Sequence, residues 1–184
     1  RPGFVETIQS ANFREFFTSP ALRGPLVRII TWNFAFAILS LLFNFGLGLV
    51  IAIMFNEPNF PFKKLIRSLL IIPYTVPALL TILIWRGMLN PELGVIDRFL
   101  ENMLGWAPPW FTDQWWAKVA ILLINLWLSY PYFMLICSGA LQSISEDYYS
   151  AAQVDGASAW QQFWHITLPL LLVAVGPLLI ASLV

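Results

Sequence analysis

Four long apolar blocks, separated by polar or proline-rich stretches, set the pattern of this chain. From Ile29 to Phe55 no charged residue occurs. Crossing a hydrocarbon layer of about 30 Å takes roughly 20 helical residues, so this block is long enough to span a membrane. Gly46 and Gly48 fall inside it, where small residues let a second helix approach closely. The polar turn NEPNFPFKK follows, with Asn56, Pro58 and Pro61 as breakers and Lys63, Lys64 and Arg67 as a charge cluster. The second block, Ser68–Leu89, is interrupted by Pro73 and Pro77. Two prolines so close together free backbone carbonyls in mid-membrane. Two readings are open: a structural kink, or a kink lining a cavity whose polar groups satisfy the freed backbone. Val119–Leu141 is the third block. The fourth opens at Pro169, a favoured first-turn residue. The predicted spans are thus 29–55, 68–89, 119–141 and 169–184 onward.

The stretches between the blocks differ in kind. Residues 1–28 are a lead-in punctuated by Pro2, Pro20 and Pro25, in which Phe13, Phe16 and Phe17 point to a short interfacial helix or an ordinary approach segment. Residues 90–117 carry Pro91, Gly94, Gly105, Pro108 and Pro109, with a short amphipathic helix expected over Asp97–Leu104. Trp106, Trp110, Trp115 and Trp116 have the composition of an interfacial belt. The stretch 143–168 is longer than a simple reconnection needs. Two short helical pieces are expected to meet at Asp155-Gly156, one with a small face (Ala151, Ala152), the other with a bulky one (Trp160, Phe163, Trp164). That design points to a docking element on the membrane surface, and to a transporter that works through a partner.

Composition agrees. The 184 residues are 59% hydrophobic and 11% charged, with a mean hydropathy of +0.73. Soluble domains carry about a quarter charged residues, so the expected fold class is an all-α integral membrane protein with about four transmembrane helices. The formal net charge of zero excludes a basic surface for nucleic acid. A single cysteine, Cys137, allows no disulfide and no cysteine-based metal site within the chain. The only histidine, His165, lies in the docking stretch with no nucleophile pattern beside it. No GxxxxGK[ST] phosphate loop occurs. No Asp, Glu, Lys or Arg lies in mid-span, which argues against an ion-coupled pump. The apolar run PLLLVAVGPLLIASLV stops without a polar anchor, so the chain is expected to be an internal piece of a longer membrane protein.

The polar residues in mid-span are neutral: Tyr74, Asn125, Ser129, Tyr130 and Tyr132. Aromatic faces beside amides and hydroxyls suit an uncharged, hydroxyl-rich solute. The competing reading is interhelical bonding, worth about 0.6 kcal/mol for each such contact. Asn125 and Tyr132 are seven residues apart, about two turns, and so share a helix face. Tyr74 lies between the two prolines, where an irregular span can turn it toward the same place.

The docking stretch has the form A-A-x-x-D-G-A-x-x-x-x-x-F-x-x-I-x-L-P from Ala151 to Pro169. It resembles the cytoplasmic "EAA" loop of ABC importer permeases, with Ser150 where the family has its leading Glu. The strings LLIIPYTVPALLTILIWRGMLN and INLWLSYPYFMLICSGAL resemble the maltose/maltodextrin permeases of that superfamily, and the likeness covers nearly the whole chain. The resemblance implies a type I importer of the bacterial inner membrane, with several partners. These are a second permease subunit, two ATP-binding cassette subunits that hydrolyse ATP, a periplasmic sugar-binding protein and membrane lipid. The chain itself would be no enzyme and need no cofactor. The coupling residues would be Ser150, Ala151, Ala152, Asp155, Gly156, Ala157, Phe163 and Pro169, docked in a cleft of the ATPase. The loop would be cytoplasmic and residues 90–117 periplasmic. Lys and Arg counts give no clear topology of their own, because Arg14, Arg23 and Arg28 lie on the other side of the first span from the 63–67 cluster. Family sugar contacts match Tyr74, Asn125, Trp127, Leu128, Tyr132 and Ser182. Ser129 stands where the family has Gly, and Ala78 where it has Ser. Further family asparagines would lie past Val184. Two alternatives stay open: a permease for another oligosaccharide or a polyol, and a non-transporting docking scaffold.

Overall fold

A computed structural model describes residues 20–57 and 60–183, and among them every regular element is a helix. In chain order these are α1 (Pro20–Asn56), α2 (Lys63–Thr75), α3 (Ala78–Met88), α4 (Val95–Leu104), α5 (Gln114–Gln142), α6 (Glu146–Val154), α7 (Ala159–Gln162), a π-turn (Phe163–Thr167) and α8 (Leu168–Ala181). The chain divides into two units, Arg1–Ile38 and Leu39–Val184. In the first, the described residues are the opening turns of α1. Pro20 starts the helix, where its missing N–H costs nothing, and Pro25 lies inside it, not at a break. Trp32 and Phe36, one turn apart, bring their rings to 5.9 Å. The helix sketched around Phe13, Phe16 and Phe17 lies outside the described residues.

The second unit has two cores. One joins α1, α5 and α8: Leu49 and Ala52 meet Cys137, Ala140 and Leu141, with Leu171 and Val175 closing the third side. Small side chains at Ala52, Cys137 and Ala140 let the helices come close. Gly48 marks the tightest point. A Cβ there would fall 2.6 Å from the Phe133 Cβ and 2.7 Å from the Met134 nitrogen, whereas a Cβ at Gly46 would meet nothing. Of the two glycines, one makes the crossing and the other does not.

The other core joins α3, α4 and the start of α5: Leu89, Trp110 and Ala120 are buried beneath Trp85, Ile96, Leu100 and Trp116. Trp110 Nε1 donates to the buried Asp97 carboxylate at 2.6 Å. α4 starts at Val95, two residues before the expected Asp97, and ends on Gly105 at φ 76, the left-handed position that closes a helix. Asp113 caps α5 by accepting from the Trp115 and Trp116 nitrogens.

Among the described residues, three helical stretches are long and apolar enough to cross a membrane: Arg23–Asn56, Gln114–Gln142 and Ala159–Ala181. The second span over 68–89, expected to be kinked, is a pair of helices, α2 and α3, bent by 96°. The physical cause lies at Pro77, which forces Val76 out of the helical region to φ −81, ψ 133. Pro73 stays inside α2, and Thr75 Oγ1 takes the Ile72 carbonyl near its end. The fourth helix also departs from expectation. It begins at Ala159, ten residues before Pro169, so α7 and the π-turn belong to the same rod as α8. A proline has no N–H for the preceding turn and its ring crowds it. The wider π-turn just ahead of Pro169 accommodates both, with the Leu168 N–H donating to Phe163 O. The expected loop over 143–168 is therefore α6, one tight turn and the first two turns of that rod.

Candidate functional site

Two groups of residues carry the candidate chemistry, both within the second unit. The first surrounds the α2–α3 bend. Tyr74, one residue before the end of α2, is 53% exposed. Its ring stacks on that of Tyr132 of α5, with centroids 6.3 Å apart and planes at 27°. Tyr132 in turn meets Phe133 edge-on at 5.3 Å. Further along α5, Trp127 contacts Trp85 of α3 at 6.0 Å and Tyr130 at 6.3 Å. Leu128 and Ser129 are half-buried on the same helix. The Tyr130 hydroxyl donates to Leu70 O at 2.9 Å and ties α2 to α5 just ahead of the bend.

Asn125 is engaged differently. Its Oδ1 accepts from Asn44 Nδ2 of α1 at 2.9 Å. Asn44 is only 5% exposed, and its own Oδ1 has no partner in the structure. An isolated Asn in an apolar block carries no sequence signal that separates it from its neighbours, so reading the sequence missed Asn44. The pairing leaves the Asn125 amide nitrogen to donate elsewhere. Ser182 follows α8 as its cap, and its hydroxyl donates to Leu179 O at 2.8 Å. The structure therefore joins Tyr74 with Tyr132 and Trp127 with Tyr130, but turns Asn125 toward α1 and Ser182 toward its own helix. Ile82, Arg86, Asn90, Phe111 and Ile124 line a separate cavity of about 450 Å³.

The second group is the docking stretch. Ser145 caps α6, accepting from the Asp147 nitrogen. The helix ends in paired reverse bonds, Ala157 N to Ala152 O at 2.8 Å and Gly156 N to Gln153 O at 3.0 Å. That closure needs a left-handed residue, and Gly156 supplies it at φ +79. Ser158 then opens α7 with a capping box to Gln161. Ser150, Ala151, Asp155 and Gly156 are exposed, and Ala152 and Ala157 half-buried. Around the turn Ala152, Asp155, Gly156, Gln161 and His165 line a cavity of about 300 Å³. Trp160 stacks near Phe163 and Trp164, with centroids 6.1 and 5.5 Å away. Phe163 leans inward onto the α1–α5–α8 core, so the bulky outward face is Trp160 and Trp164. Pro169 is exposed on the rod. No Lys or Arg occurs after Lys118, whereas the stretch carries Glu146, Asp147 and Asp155.

A third cavity, of about 670 Å³, lies behind α6, walled by Ile53, Asn56 and Glu57 at the end of α1, by Leu141 and Gln142 at the end of α5, and by Tyr149 of α6. It places the docking stretch at the same end of the second unit as the turn leading to Lys63, Lys64 and Arg67. Among the described residues no cluster of His, Cys, Asp or Glu could hold a metal.

The chain is similar to known proteins. Residues 44–184 match the family described as the binding-protein-dependent transport system inner membrane component. The chain is 38% identical over 181 residues to the maltose/maltodextrin transport system permease protein MalF of Salmonella typhimurium, covering 98% of this chain and 35% of that protein. The MalF of Vibrio vulnificus is 40% identical over the same length, again covering 98% and 35%. The chain thus spans about a third of the length of these curated relatives. Among solved structures, a bacterial ABC transporter involved in the import of the acidic polysaccharide alginate superposes with a TM-score of 0.80 at 25% identity, covering 94% of this chain and 59% of that one. The same kind of transporter bound to a periplasmic protein carrying an alginate pentasaccharide gives 0.79 at 26% identity, covering 92% and 58%.

Proposed function

The chain belongs to the family of binding-protein-dependent transport system inner membrane components, and from that premise we propose that it is part of the translocation path of an ATP-driven importer for maltose and maltodextrins. The Tyr74–Tyr132 stack carries this reading. Two rings from different helices at a bend present the flat apolar surface that covers one face of a sugar ring. The Asn125 amide nitrogen and the hydroxyls of Ser129 and Ser182 are the groups that would orient its hydroxyls, with Trp127 and Leu128 as apolar walls. None of these seven residues is charged, which favours a neutral oligosaccharide over an acidic one such as the alginate carried by the structural relative.

The rest of the machine lies in other chains: a second permease subunit, two ATP-binding cassette subunits and a periplasmic sugar-binding protein. The Ser150–Ala157 turn, with Phe163 and Pro169 behind it, is the coupling element toward the ATPase. It is cytoplasmic in this reading. Its proximity to the turn that leads into Lys63, Lys64 and Arg67 supports that side, because cytoplasmic ends carry the positive excess. Residues 90–117 then face the periplasm.

Uptake by the full-length chain, assembled with its partners in proteoliposomes, tests the proposal. Radiolabelled maltose and maltotriose should enter in an ATP-dependent manner, and a polyol or an alginate oligosaccharide should not compete. Competition by the acidic sugar, or no ATP-dependent uptake of either maltosaccharide, would refute the assignment.

A further inference from the structure

The coupling helix α6 is fastened to the fourth rod by a specific side-chain contact. The Tyr149 hydroxyl and Thr167 Oγ1 lie 3.0 Å apart, linking residues 18 positions apart across the Gly156 turn. Thr167 is 8% exposed and is the last residue of the π-turn. Its hydroxyl also reaches Gln162 O at 3.5 Å, and His165 Nδ1 donates to Gln161 O at 2.9 Å. Side chains therefore bridge the one stretch where the rod departs from regular α-helical bonding. π-turns of this kind concentrate at functional positions. Behind α6 lies the cavity of about 670 Å³, with Tyr149 and Thr167 in its lining. A helix backed by open space is located by its few specific ties, not by close packing. On this side the ties are the Tyr149–Thr167 contact, the Gly156 turn and the Gln162 Nε2 bond to Ala157 O at 3.0 Å.

We infer that Tyr149 and Thr167 are positioning residues, which make the coupling helix and the α7–α8 rod move as one body. This rests on the coupling role proposed above and specifies how it reaches the membrane. Force applied at the exposed turn passes through the Tyr149–Thr167 contact into the π-turn. From there it reaches α8, the helix that ends at Ser182. Without the contact, α6 can shift into the cavity and the partner can close without moving α8.

The test uses the full-length chain in its assembled transporter, with sugar uptake and ATP hydrolysis measured on the same vesicles. Tyr149→Phe and Thr167→Val each remove one hydroxyl and keep the shape of the side chain. Each should lower the sugar moved per ATP hydrolysed by about threefold to tenfold, the effect of losing one hydrogen bond between two states. The amount of assembled complex should be unchanged. Thr167→Ser, which keeps the hydroxyl, should retain the wild-type ratio, and the double variant Tyr149→Phe/Thr167→Val should be no worse than either single one. Wild-type ratios in Tyr149→Phe and Thr167→Val, or a Thr167→Ser variant as uncoupled as Thr167→Val, would overturn the inference. A structural role alone would change assembly and leave the ratio untouched, which also counts against it. Failure of the wild-type complex to couple hydrolysis to sugar uptake would instead refute the proposed function.

Discussion

Asn125 gives its carbonyl to Asn44 and keeps its amide hydrogens for another partner, so the interhelical bond leaves room for the proposed sugar contact. The consequence is separable. Removing a buried acceptor costs about 1–3 kcal/mol, because the donor left behind has no water to turn to. Asn125→Ala should therefore lower the melting temperature of the solubilised complex, since it strands Asn44 Nδ2. Asn44→Leu with Asn125→Leu, which removes both polar groups together, should recover most of that loss. A double variant melting well below Asn125→Ala would show that the pair is more than an interhelical bond. The sequence made Asn125 visible through its spacing from Tyr132, but not Asn44, whose pairing depends on how two helices cross. Tyr130 shows the same limit. Its position marked it as polar and mid-span, yet its hydroxyl is bound to Leu70 O, which no pattern along one helix reveals.

The elements themselves were largely legible. Block length located α1, α5 and α8, and the Asp155-Gly156 pair located the turn that Gly156 closes at φ +79. Misreadings came from two prolines whose effect depends on surrounding geometry. Pro77 turns a kink into a 96° break because it pushes Val76 into extended backbone. Pro169 reads as a helix start, but the π-turn lets the helix run through it. Gly46 and Gly48 were equal on paper, and only Gly48 faces Phe133 and Met134. Gly48→Ala should therefore destabilise the complex by about 1–3 kcal/mol through overpacking against backbone, while Gly46→Ala leaves it unchanged. Thermal melting of the two variants distinguishes them, and equal melting would mean that the crossing lies elsewhere. At the docking turn, Gly156→Pro cannot adopt a positive φ. It should abolish sugar uptake while ATP hydrolysis by the assembled complex persists. Full uptake in this variant would separate the turn from coupling.

For the whole molecule, only 28%, 28% and 17% of the three spanning windows is buried within the chain. The remaining surface is apolar and must meet lipid or other subunits, as expected for an inner membrane component of a transport system. The sidedness of that assembly has its own test. In a Cys137→Ala background, Asn102→Cys and Ser145→Cys should react with an impermeant thiol reagent from opposite sides of the membrane, Asn102→Cys from the periplasm. Reaction from the same side would remove α5 as a crossing helix.

The central claim is that a sugar rests on the rings that meet at the α2–α3 bend. Sugar uptake normalised to the amount of assembled transporter tests it most directly. Tyr132→Ala should lower normalised maltose uptake by about tenfold to a hundredfold, since losing the ring face that covers the sugar costs about 1.5–3 kcal/mol. Tyr132→Phe, which keeps the ring stacked on Tyr74, should retain most of it. Normalised uptake unchanged in Tyr132→Ala would contradict the account and move the sugar path away from this pair.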